Sequence, residues 1–140
     1  MTTRERRSPC PIAFALDLFG DRWTLLVLRD VLLSGKRHFQ EFLEAGEGIA
    51  TNVLSDRLSR LEEAGMLTKE QDPDDGKRFV YRPTAKAKDT LPIILEMVAW
   101  SARHDPETPV SAALLRRIRA ERDQLTAEIL DRLDEPAAGR

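Results

Sequence analysis

At 140 residues, with 41% hydrophobic and 33% charged side chains, the chain can bury one core and keep a wet exterior. Aromatics at 6%, with only 7 Gly and 8 Pro, favour helices over a sandwich or barrel, which need more β-branched, aromatic and turn residues. The net charge of −2 does not announce a nucleic-acid binder, so any DNA-reading surface must be a local basic patch on a mildly acidic body.

The start of the chain, through Arg4, Glu5, Arg6 and Arg7, is polar and basic and reads as an arm over residues 1–9, without a secretory leader. No stretch reaches the roughly 20 apolar residues of a bilayer span, so no membrane partner is expected. Cys10 is the single cysteine, which excludes an intrachain disulfide framework. Pro11 to Phe19 forms a short helix with Pro at its first position, ended by Gly20. A second helix starts near Asp21, with Trp23, Leu26, Val27, Val31 and Leu32 at helical spacing, and stops at Ser34-Gly35.

His38 to Glu44 is a third, short helix, followed by a break at Gly46 and Gly48. Thr51 to Ala64 is the strongest helix, with Leu54, Leu58 and Leu61 on one face and Gly65 as its left-handed cap. The period then changes: Met66 to Gln71 and Arg78 to Pro83 read as strands joined by DPDDGK, with Asp75-Gly76 as the hairpin signal. Thr84 caps a helix running to about Ala102 and bent or split by Pro92. Residues 105–109 are a Pro-containing linker. Ser111 to Asp134 is expected as one long helix with a stripe of Leu115, Ile118, Leu125, Ile129 and Leu133, interrupted at Arg122.

A short helix, a Gly turn, a long helix and a polar-tipped hairpin, in that order, make a helix-turn-helix with a wing. Opposite its leucine stripe, the long helix carries Thr51, Asn52, Ser55, Asp56, Ser59 and Arg60, with Arg57 on a flank. Asn and Arg make paired hydrogen bonds to adenine and guanine edges, and Ser and Thr reach bases or phosphates. Lys77, Arg78 and Arg82 are the expected phosphate contacts of the wing, while Asp72, Asp74 and Asp75 point away or shape the turn. Lys36, Arg37 and His38, ahead of the long helix, complete the candidate DNA surface.

Four blocks in order carry a family resemblance: Cys10-Pro11-Ile12, GDRWTLLVLRDVLLSGKRHFQEF, GIATNVLSDRLSRLEEAGML, and RFVYRPTAKAKDTLPIILEMVAW. From Cys10 to about His104 the chain resembles the HxlR family of bacterial winged helix-turn-helix regulators, within the MarR-like group. The resemblance implies a mainly α fold with a small β-hairpin: a DNA-binding domain over residues 10–104 and dimerisation helices at both ends. It implies a homodimer on double-stranded operator DNA with two half-sites, regulating transcription as a repressor in the bacterial cytoplasm at the nucleoid. Thr51 to Ala64 takes the place of the recognition helix, and Asp72 to Arg78 that of the wing tip. Residues 110–135 are then a dimerisation helix and residues 136–140 a disordered tail.

The expected dimer contacts are Ile12, Leu16, Phe19, Trp100, Leu115, Ile118, Leu125 and Ile129. Cys10 is a candidate redox sensor, because a helix N-cap favours a thiolate and relatives with a cysteine here respond to oxidants or electrophiles. A small molecule in the dimer interface is the competing effector. With two histidines, one cysteine and no Gly-rich phosphate loop, no catalytic residue, metal ligand or cofactor is expected. The other function class is a winged-helix protein-interaction module that lacks specific DNA binding, favoured by the acid-rich wing tip.

Overall fold

The computed structural model describes residues 8–134. Residues 1–7 of the expected arm, including Arg6 and Arg7, and the expected tail 136–140 lie outside the described residues. The chain divides into two compact units, Met1–Ala87 and Lys88–Arg140. That division falls inside the stretch the sequence groups as one domain.

In the first unit, α1 (Pro11–Phe19) starts at Cys10, whose carbonyl accepts the Phe14 amide at 3.0 Å, and Pro11 occupies the first turn. α2 (Arg22–Leu33) begins at Asp21, whose carboxylate accepts the amides of Trp23 and Thr24 at 3.0 and 3.1 Å, satisfying two donors the helix cannot pair internally. α3 (Phe39–Leu43) is pinned at its start by Glu41, which accepts the His38 amide at 3.1 Å. The turn that follows passes through Gly46 and Gly48, with φ of 88° and 75°, a region that side chains with a Cβ rarely enter.

α4 (Thr51–Glu63) buries Leu54, Leu58 and Leu61 against a core that includes Leu28, Val31 and Leu32 of α2 and Phe42 of α3. It ends in a Schellman motif: the Met66 amide donates to the Leu61 carbonyl at 2.8 Å, the Gly65 amide to the Glu62 carbonyl at 3.0 Å. Strands β1 (Leu67–Gln71) and β2 (Phe79–Pro83) pair antiparallel, Leu67 with Pro83 and Gln71 with Phe79. The Tyr81 amide donates to the Arg37 carbonyl at 2.8 Å, so the hairpin is stitched to the segment ahead of α3. Thr84 caps the short α5 (Ala85–Lys88), accepting the Ala87 amide at 3.3 Å.

The hairpin connection takes in the expected DPDDGK turn and Arg78. Residues 72–78 form a loop closed by the Asp72 amide on the Arg78 carbonyl at 3.0 Å, and Gly76 does not adopt positive φ. Asp72 organises the loop: its carboxylate accepts the Asp74 amide at 2.8 Å and the Arg78 Nε at 2.7 Å.

In the second unit, α6 (Leu91–His104) begins with Pro92 in its first turn, so the proline separates α5 from α6 instead of kinking one helix. The expected single helix from Ser111 to Asp134 is corrected to two, α7 (Ala112–Ala120) and α8 (Arg122–Asp134), parted at Glu121 with φ −134° and ψ 38°. Two ties hold the break. Arg117 reaches Glu128 at 2.7 Å. In a straight helix residues eleven apart stand about 16 Å from each other along the axis, so this ion pair requires α8 to fold back. Arg122 bends the other way, its Nε donating to the Ile118 carbonyl at 3.4 Å and its guanidinium pairing with Glu96 of α6. Among the described residues no helix is long and apolar enough to cross a membrane.

Candidate nucleic-acid interface

The outward face of α4 lies between the Gly turn and the wing. Thr51, Asn52, Ser55, Asp56, Ser59 and Arg60 are all exposed, opposite the buried leucines. The helix begins at Ala50, which has no side chain to cap it, so its first-turn amides and the positive end of its dipole stay open to an incoming acceptor. Arg60 is 65% exposed and is steadied by Asp56 at 3.0 Å, while Asp56 is also held by Arg57 at 2.6 Å. Two guanidiniums thus offset the one acid on the face.

Arg57 plays a different part from the one expected of it. Its side chain is only 19% exposed, and its Nε donates to Asp21 at 3.0 Å. Asp21 therefore caps α2 with one oxygen and receives a strut from α4. Burial by itself raises the Asp21 pKa, but hydrogen bonds from Thr24 and Arg57 outweigh it and hold the carboxyl below its ordinary value. The Asp21 hydrogen bond holds the Arg57 guanidinium more firmly protonated still. Arg57 fixes the angle of α4 instead of facing outward.

The segment ahead of α3 also makes internal contacts. Arg37 donates from its guanidinium to the carbonyls of Val31 at 3.2 Å and Lys36 at 2.8 Å. Lys36 lies 3.7 Å from Asp30, a carboxylate buried in α2 and also paired with Arg29 at 2.9 Å. His38 has both ring nitrogens spent, Nδ1 on Glu41 and Nε2 on Asp72, each at 3.0 Å. These three residues, expected among the DNA contacts, each have an internal partner in the structure.

On the wing, Lys77 and Arg78 are exposed at the tip, and Arg78 is tethered to Asp72 by its Nε at 2.7 Å. Arg82 is paired with Glu70 across the hairpin at 2.9 Å, which halves the charge it presents. Asp72 is buried, its carboxyl pulled from 3.8 to about 2, first by the Asp74 amide and then by Arg78 and His38. Asp74 and Asp75 are exposed, and Asp75 shapes the turn by accepting the Lys77 amide at 3.0 Å. Along β1 the Lys69 ammonium sits 4.3 Å from the centre of the Phe79 ring.

The model of the HxlR-like helix-turn-helix family matches residues 18–109. The chain belongs to the HxlR-like helix-turn-helix family. An uncharacterised HTH-type transcriptional regulator of Synechocystis is 34% identical over 88 residues, 63% of this chain and 64% of the relative. The chain spans 57% to 64% of the length of the first relatives it matches. Among solved structures, PA1607, a candidate transcription factor, is 30% identical with a TM-score of 0.67, covering 76% of this chain and 72% of that one. The reduced form of the regulator YodB from Bacillus subtilis is 28% identical with a TM-score of 0.57, covering 70% and 96%. YodB has also been seen quinone-bound and diamide-treated. The HxlR fold is thus a mainly helical winged helix with a two-stranded antiparallel hairpin.

Outside the α4–wing surface, the expected contact residues fall into two groups. Ile12 and Leu16 of α1 and Trp100 of α6 are exposed, at 69%, 58% and 60%. Phe19 and Leu115 are half-buried, whereas Ile118, Leu125 and Ile129 are already buried within the single chain. Ile93 and Met97 of α6 are also exposed. With Trp100, which alone of the three was expected as a dimer contact, they fall at i, i+4 and i+7 and make one apolar stripe. Cys10 is exposed, and its amide is held by the Ser8 hydroxyl at 3.1 Å.

Proposed function

We propose that the chain is a DNA-binding transcriptional regulator, a bacterial cytoplasmic protein acting as a homodimer on an operator with two half-sites. The observation that carries this reading is the exposed α4 face. Asn52, Ser55, Ser59 and Arg60 stand clear of the core, and Asn52, Ser55 and Ser59 make no side-chain hydrogen bond among the described residues. Those are the groups that read base edges in a major groove. Lys77 and Arg78 at the wing tip supply the sequence-independent grip on phosphate. Family membership supports the same reading, and repression is the sign of regulation we carry over from the resemblance. The side-chain inventory gives no support to catalysis, and we assign none.

Dimerisation is assigned to the apolar faces of α1 and α6: Ile12 and Leu16 on one, Ile93, Met97 and Trp100 on the other. The buried stripe of α7 and α8 is left as internal packing. Cys10 is the proposed point of control by thiol-reactive compounds. It is exposed, it opens α1, and YodB, a relative, has been captured with a quinone and after diamide treatment.

A mobility-shift titration with the DNA upstream of the gene tests the reading. A specific shift that survives competitor DNA supports it; absence of any specific shift at low salt assigns the winged helix to protein–protein contact.

A further inference from the structure

We propose that His38 and Asp72 are positioning residues, a latch that fixes the wing tip to the helix-turn-helix and tightens when the His38 ring is protonated on both nitrogens. Its role in DNA recognition rests on the function proposed above; the latch itself does not.

A two-stranded hairpin is marginal on its own and needs an anchor to hold one orientation. The base of this wing has one: the Tyr81 amide on the Arg37 carbonyl, with the Tyr81 ring edge-on to Phe42 at 6.3 Å between centroids. The tip, residues 72–78, precedes Tyr81 in the chain and hangs on Asp72. That carboxylate gathers the Asp74 amide, the Arg78 Nε and the His38 Nε2, at 2.8, 2.7 and 3.0 Å. The first two close the loop on itself. Among the described residues, the contact of Asp72 with His38 is the hydrogen bond that ties the loop to α3, thirty-four residues away in sequence.

The chemistry of the ring makes this tie conditional. Both nitrogens of His38 face carboxylate oxygens, Glu41 on one side and Asp72 on the other. A neutral imidazole has one N–H and one lone pair, so it satisfies one carboxylate and turns a lone pair toward the other; the imidazolium donates to both. The charged groups around the ring are Glu41 of α3, Asp72 and Arg78 of the wing, and the preceding Arg37, whose guanidinium is turned to carbonyls. Arg78 offsets part of the negative charge on Asp72, and the Glu41 carboxyl stays ionised, held low despite its burial by the Arg37 amide and the His38 ring and amide. Both acceptors are therefore in place through the range where histidine titrates.

Wing orientation then sets where Lys77 and Arg78 stand relative to α4, so the latch couples acidity to phosphate contact. His104, the other histidine, belongs to the second unit, where its ring lies 4.9 Å from that of Trp100.

The test uses the full chain and two variants, His38→Gln and Asp72→Asn, by amide hydrogen exchange at pH 6 and pH 8, corrected for intrinsic exchange. Wild type should protect the Asp74, Lys77 and Arg78 amides more at pH 6. The His38→Gln chain should lose that difference while α4 amides keep wild-type protection, which shows that the fold is intact. Asp72→Asn should lose wing protection at both pH values. In a parallel titration with operator DNA, wild-type affinity should rise between pH 8 and pH 6 by about fivefold more than that of His38→Gln, the scale expected of one group whose protonation is linked to binding. Wing protection that is independent of pH in wild type, or a pH difference that persists in His38→Gln, overturns the latch. Absence of DNA binding with pH-dependent wing protection intact would remove the DNA reading and leave the latch standing.

Discussion

Arg57 and Arg60 lie three positions apart on one helix, yet the structure gives them opposite duties. Arg57 is a strut to Asp21, and Arg60 is an exposed guanidinium steadied by Asp56. Asn52→Ala and Arg60→Ala should each narrow the gap between operator and random DNA by about 1–3 kcal/mol, the worth of one good base contact. Lys77→Ala and Arg78→Ala should instead weaken binding to every sequence and lower the salt slope by about one phosphate contact each, in binding measured across a range of salt concentrations. Asp72 gives a prediction in acid. Its folded pKa, about 2, lies below the ordinary 3.8, so its contribution to stability is fully present above about pH 4 and is lost as pH falls toward 2. Asp72→Asn should remove that component. Stability followed by circular dichroism between pH 5 and pH 2 should then fall less steeply in the variant; an unchanged slope would show that Asp72 is not the group being titrated.

At the scale of elements, most boundaries were legible because they are written in local chemistry. Asp21, Pro11 and Gly65 each mark a helix end in the sequence, and each is found there. Gly65 has φ of 75° and open space where a Cβ would stand, so replacing it strains only the backbone. Gly65→Ala should cost about 1–2 kcal/mol, the price of a left-handed conformation for a non-glycine residue. The check is a lowered thermal midpoint with unchanged helical signal. What stayed hidden depended on partners distant in sequence. The DPDDGK turn was legible, but the tie of Asp72 to His38 cannot be read from either segment alone. Ser111 to Asp134 read as one helix because its period is continuous, and only the reach of Arg117 to Glu128 reveals the fold-back. The internal partners of Arg37 and Arg57 stayed hidden for the same reason: charge is visible in a sequence, but the carboxylate or carbonyl beside it is not.

For the whole molecule, the α4 face is polar, whereas α1 in one unit and α6 in the other each expose an apolar face. An exposed apolar helix face marks an interaction site. Ile93→Glu with Trp100→Glu should shift the protein from dimer to monomer in sedimentation velocity, and should weaken binding to a two-half-site operator far more than to one half-site. A dimer that survives both changes would move the interface elsewhere. Cys10→Ser should leave DNA affinity unchanged and abolish release by diamide or quinone; a wild-type protein indifferent to both compounds makes Cys10 a packing residue. The central claim is that α4 and the wing read an operator, and selection of bound genomic fragments tests it most directly. Wild type should enrich one sequence with two half-sites about one helical turn apart, and an Asn52→Ala, Arg60→Ala chain should lose the enrichment while still binding DNA. Enrichment unchanged in that variant, or none in wild type at low salt, would contradict the account.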